Sequence, residues 1–118
     1  MSGLDEFHER RFLGVLKSMV ELLRQHNVDK WANWFEGDLT DYLAAQGPPR
    51  QIARQKAVLE HVLMAFGGMS TFTQLQLTDE VGKPLSEANE RLQFLSEQLW
   101  AASRGVQGSL AAAENEQS

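Results

Sequence analysis

The chain has 118 residues, with 11 Lys and Arg against 16 Asp and Glu and no cysteine. That length suits one domain that buries roughly 65% of its unfolded surface, and a net charge of −5 argues against nucleic-acid binding, which needs a basic face. The missing cysteine excludes disulfides, thiolate metal sites and cysteine nucleophiles, and it fits a reducing, cytoplasmic setting.

A first helix is predicted from Leu4 to about Gln25, with Leu13, Leu16, Met19, Val20 and Leu23 forming one apolar stripe. Asp5, Glu6 and Glu9 lie in its first turns, where negative charge favours the helix dipole. The same acids stand where a secretory leader would need cationic and then apolar residues. Gly14 weakens the helix by about 1 kcal/mol relative to Ala and is read as a close crossing with another helix.

Asp29 is the expected N-cap of a second helix reaching about Ala45. Its face of Trp31, Trp34, Phe35, Leu39, Tyr42 and Leu43 supplies much of the core bulk. Gly47-Pro48-Pro49 ends it. A third helix is predicted from near Arg50 to Phe66, with Ile52, Leu59, Val62, Leu63 and Phe66 facing inward and Val58 flanking. Arg50, Arg54 and Lys56 sit at its N-terminal end, the wrong end for cations. They call for an acidic group nearby, on this chain or on a partner.

The stretch Ala65 to Leu77 does not follow simple helical patterning. Gly67 fits a left-handed helix terminus. Thr71-Phe72-Thr73-Gln74 reads as a capping box opening a short helical turn, and Leu75 and Leu77 suggest a brief extended piece. The Gly67-Gly68-Met69-Ser70-Thr71 loop has backbone N–H groups that suit an anion. It has no Lys and no phosphate-loop spacing, so a buried corner closing the core is the simpler reading.

Phe66-Gly67-Gly68-Met69-Ser70-Thr71-Phe72-Thr73-Gln74-Leu75 resembles the signature of a family of small bacterial proteins of unknown function. That pattern runs Phe-Gly-Gly-Met-Gly-Ser, an apolar residue, then Asn-Asp-Leu. A second shared segment corresponds to Lys30 to Leu39, and the chain departs from the signature at Ser70, Thr73 and Gln74. The resemblance implies a small, soluble, mostly helical protein and no particular activity.

After a polar loop from Thr78 to Pro84, Ser86 caps a fourth helix expected to run to about Arg104. Leu85, Ala88, Leu92, Leu95, Leu99 and Ala102 form its seam, with Phe94 and Trp100 partly off it. Gly105 and Gly108 are read as its end, and residues 106–118 as a flexible tail. No apolar run approaches the roughly 20 residues of a membrane span.

Little in the chain has the spacing of chemistry. His8, His26 and His61 are scattered and form no zinc-binding pair. Glu36, Asp38 and Asp41 are the densest acids; Asp38 and Asp41 share a helix face and Glu36 points elsewhere. Such a run is usually a solvated face, though a raised pKa could turn one carboxylate into an acid or base. No catalytic residues, metal or cofactor are assigned.

The expected fold is an all-α, four-helix antiparallel bundle over residues 1–105, with an irregular corner at 67–77. The leading functional expectation is a non-enzymatic cytoplasmic interaction module, a homodimer or partner of another protein, with an immunity-type role as one form. Leu92, Leu95, Leu99 and Trp100 are its candidate interface, and neither nucleic acid nor membrane is a partner. The alternative is a small-molecule or anion-binding protein, or an enzyme. Its site would lie between Gly67, Gly68, Met69, Ser70 and Thr71 on one side and Glu36 and Asp38 on the other.

Overall fold

Four helices carry the apolar stripes: α1 Gly3–Gln25, α2 Asp29–Gln46, α3 Ile52–Met64 and α4 Ser86–Gln117. They come from a computed structural model that describes residues 3–47, 49–67 and 72–117, with side chains from 6 to 114 within those ranges. Neighbours in the chain pack on one another, and α4 closes the ring onto α1. Each packed pair runs antiparallel. Tyr42 near the end of α2 reaches Glu9 near the start of α1, and Asp38 reaches His61. Lys56 early in α3 meets Glu114 late in α4, and Arg11 on α1 donates to Gln98 on α4. The all-α antiparallel bundle is therefore as expected. No described helix is long and apolar enough to cross a membrane.

The core is one cluster drawn from all four helices and the corner. On α1, Phe12, Leu16, Met19, Val20 and Leu23 face inward, while the predicted Leu13 is only half-buried. On α2, Trp31, Phe35 and Tyr42 are buried and Leu43 points to solvent. The α1–α2 connection turns at Asn27, which takes the left-handed region at φ 59°. Val28 N–H donates to Leu23 O at 2.9 Å and Asn27 N–H to Arg24 O at 3.1 Å, the paired bonds that satisfy a helix's last carbonyls. Asp29 is not the N-cap expected of it. Val28 holds that position with no side-chain cap, and Asp29 pairs instead with Arg24 at 3.5 Å.

α3 ends without a left-handed residue at Gly67, contrary to expectation, because the chain tightens gradually. Ala65, Phe66 and Gly67 donate to the carbonyls of Val62, Leu63 and Met64 at 3.2, 3.0 and 3.1 Å. Beyond lies a single 3₁₀ turn, Phe72–Gln74, the short helical turn predicted there. Phe72 is its anchor, edge-on to Trp31, Phe35 and Phe66 at 5.2, 5.1 and 5.5 Å between ring centres. Gly68, Met69, Ser70 and Thr71 lie outside the described residues, as does Pro48.

A small hairpin follows. Asp79 N–H donates to Lys83 O at 2.8 Å and Leu85 N–H to Leu77 O at 2.9 Å, around Gly82 at φ 84°. Asn89 on α4 holds the hairpin with its amide. Leu77 N–H donates to Asn89 Oδ1 at 2.7 Å, and Asn89 Nδ2 donates back to Leu77 O at 2.9 Å.

The predicted stop of α4 at Gly105 is corrected. The helix runs through Gly105 and Gly108 to Gln117. The seam of Leu92, Leu95, Leu99 and Ala102 continues into Val106 and Leu110, all buried. Burying two such side chains outweighs the roughly 1 kcal/mol that each helical glycine costs. Gly105 is also the close crossing that was assigned to Gly14. A Cβ there would lie 2.9 Å from His8 Nδ1, whereas at Gly14 it would meet nothing within 4 Å. Nothing in the structure requires glycine at position 14.

Candidate functional site

Helical spacing puts Trp34, Asp38 and Asp41 on one stripe of α2, and Arg54, Val58 and His61 on one stripe of α3. The antiparallel packing sets these stripes face to face. Between them is a cleft of about 370 Å³.

His61 Nδ1 and Asp38 Oδ1 are 2.5 Å apart. Trp34 fixes the histidine twice. Its indole stacks on the imidazole at 3.9 Å and 13°, and its Nε1–H donates to His61 O at 3.2 Å. Asp38 is only 4% exposed, whereas the His61 side chain is 43% exposed. Burial pushes the Asp38 carboxyl up from 3.8 to about 6; the hydrogen bond and charge of His61 oppose that rise, and the charge of Asp41 adds to it. The second oxygen, Oδ2, is buried without a partner. Among the described residues, His8 Nδ1, Gln55 Nε2 and Ser103 Oγ are also buried without a partner, and of the four residues only Asp38 lines this cleft. Asp41 carries a looser ion pair to Arg54 at 3.9 Å.

With Asp38 ionised, His61 is held with Nδ1–H toward the carboxylate and its other ring nitrogen available to accept. That arrangement can receive a ligand proton or orient a polar group. Among the described residues, no group of three His, Cys, Asp or Glu side chains could hold a metal.

Of the predicted site residues, Gly68 to Thr71 lie outside the described residues, and the described ones point different ways. Glu36 points to the α1 side, where Arg24 donates to it at 3.2 Å, and only Asp38 faces the cleft. Gly67 ends α3, where a Cβ would meet Met64 O at 3.3 Å. Beside the corner, a second cavity of about 530 Å³ is lined by Phe66, residues 72–76 and the first turns of α4. Its described lining has no Lys or Arg, which gives an anion no charged partner. Leu92, Leu95 and Leu99 are buried within this chain's own core. Of the predicted interface, only Trp100 reaches the surface, 51% exposed.

A second polar cluster escaped the sequence reading. Glu9 Oε1 accepts from Tyr42 OH at 2.8 Å and from Arg50, and Oε2 accepts from Gln46 at 3.2 Å. Arg50 Nε–H donates to Gln55 Oε1 at 2.8 Å. Burial raises the Tyr42 hydroxyl pKa, so it remains a neutral donor. The misplaced cations of α3 were the available signal, and each has an acid: Arg50 with Glu9, Arg54 with Asp41 and Lys56 with Glu114.

The molecule is thus an antiparallel four-helix bundle with a polar cleft between its second and third helices. The chain belongs to the family described as Domain of unknown function (DUF6966), which matches residues 24–86. That span contains every residue lining the cleft, and it excludes Glu9 and Trp100. No curated protein and no solved structure matches the chain.

Proposed function

We propose that the protein is a small-molecule-binding protein whose site is the α2–α3 cleft, with Asp38 as the anchoring group. The observation that supports this most is the buried, unpartnered oxygen of Asp38, a residue of the cleft wall. A carboxylate sunk into a protein core for stability alone normally has both oxygens occupied. The reading keeps Asp38 from the expected site and moves the site away from the Gly67 corner. The cysteine-free composition supports a cytoplasmic setting.

The test is native mass spectrometry of protein purified gently from its host. The expected result is a bound small mass that survives in the wild type and is lost in Gly37→Leu, which covers the cleft mouth from the α2 side. Bare protein in both, together with cleft NMR signals that no compound moves, would sink this reading.

Trp100 favours a second reading, in which the module self-associates. It lies in register with Gln93 and Ser96 on α4, one turn beyond the corner cavity that those two residues line. A large exposed aromatic of this kind is enriched at interfaces. If this is right, sedimentation shows a concentration-dependent dimer that Trp100→Ala disperses. A monomer at every concentration removes it.

A further inference from the structure

We propose that the molecule taken by the α2–α3 cleft is a small organic cation, an ammonium or amidinium group that donates an N–H to Asp38 Oδ2. This rests on the small-molecule-binding reading above and adds the ligand's chemistry. Four observations carry it.

Asp38 Oδ2 is buried and unpartnered, and an ionised carboxylate can only accept hydrogen bonds, so its partner must be a donor. The charge around it is acidic: Asp41 shares its helix, while Arg54 on α3 is already engaged by Asp41 at 3.9 Å. An anion entering here would meet two carboxylates. A metal is disfavoured because no three ligating side chains converge among the described residues.

The cleft volume of about 370 Å³ is near the lower end for small-molecule sites, which suits a ligand of modest size. Ala57 and Val58 give it an apolar wall, a surface for the carbon part of such a cation.

Gly37 is the fourth observation. It sits inside α2, where glycine is a poor helix former, and a Cβ there would meet no protein atom within 4 Å. Gly37 lines the cleft and is itself exposed, so a larger side chain there has room to cover the cleft mouth without meeting protein atoms.

The charged groups facing Asp38 are Asp41 on its own helix and His61 and Arg54 on α3. Protonating Asp38 removes the counter-charge, which weakens a bound cation. Affinity therefore falls as the pH drops through about 6.

The experiment uses three compounds of one shape on the intact chain: benzamidinium chloride, benzamide and sodium benzoate. NMR follows the Trp34 indole N–H and the His61 ring. Benzamidinium is expected to move both signals saturably and to bind about tenfold or more weakly to Asp38→Asn, the scale of one charge-assisted hydrogen bond. Gly37→Leu is expected to abolish binding while circular dichroism and melting show an intact helix bundle. It is the safer variant, since leucine favours a helix and no protein atom obstructs it.

If benzamide or benzoate binds the cleft as tightly as benzamidinium, the cation assignment falls and the cleft stands. Benzamidinium binding that Asp38→Asn and Gly37→Leu both leave unchanged also overturns the assignment, since the cation then sits elsewhere. Silence of the cleft signals to all three, with no bound mass in native protein, defeats the ligand-binding reading itself.

Discussion

Two sunken carboxylates behave differently in this bundle. Glu9, 14% exposed at its side chain, takes donors from Tyr42, Gln46 and Arg50 and uses both oxygens. Asp38 is more deeply placed and takes one partner, His61, leaving Oδ2 open. The first ties the start of α1 to the end of α2 and the start of α3. The second leaves a buried acceptor without a protein partner, on a residue that lines a cleft. Burial alone does not separate the two carboxylates; what does is that the protein supplies donors to both oxygens of Glu9 and to only one oxygen of Asp38.

The contrast can be broken most forcefully at its structural half. Glu9→Ala strands Arg50 and the Tyr42 hydroxyl, and chemical denaturation should show a loss of about 3–5 kcal/mol. A loss below about 1 kcal/mol would demote the cluster to surface decoration. Next comes Leu110→Ala on the last turns of α4, which pack at the Glu9 end. A loss of about 2–3 kcal/mol is expected for a side chain so fully buried, and no loss would mean that these turns do not pack on the core in solution.

Asp38→Asn sharpens the other half through pH. The folded Asp38 pKa of about 6 lies above its ordinary 3.8. The stability it contributes is therefore fully present below 3.8 and is lost as the pH rises through about 6. His61 and Asp41 on the same site are included in that shift, and Arg54 lies across the cleft. Melting temperatures of variant and wild type should thus move in the variant's favour from pH 3.8 to above about 6. A constant gap contradicts the assignment. The smallest effect belongs to Arg54→Ala, which loses an exposed 3.9 Å ion pair and should change stability by less than about 0.5 kcal/mol.

The bundle was legible because stripes at three- and four-residue spacing name the buried face of each helix without knowledge of the partner. Leu16, Met19, Leu23, Phe35, Val62 and Leu99 all lie where their spacing placed them. The end of α4 was not, since two glycines outweighed the continuing Val106 and Leu110 in a local reading. The cleft was half legible. Asp38 stood out as part of an acidic run, and His61 was weighed alone. What joins them is the register of α2 against α3, which packing sets and neither helix's sequence states. Glu9 was read as a helix-dipole residue, and its real partners come from two other helices.

The closure of the ring by α4 bears on how the chain reaches this structure. Short connections join α1 to α2 and α2 to α3, so those contacts form between near neighbours in sequence. The seam between α1 and α4 is different. Arg11 and Gln98, which meet across it, are 87 residues apart. Long loops are slow to close, and the hairpin at 77–85 stands between α3 and α4. Folding should therefore run from the first three helices to a late docking of α4, with Asn89 seating the hairpin as the helix arrives. Substitutions along Leu99, Val106 and Leu110 are then expected to speed unfolding far more than they slow folding.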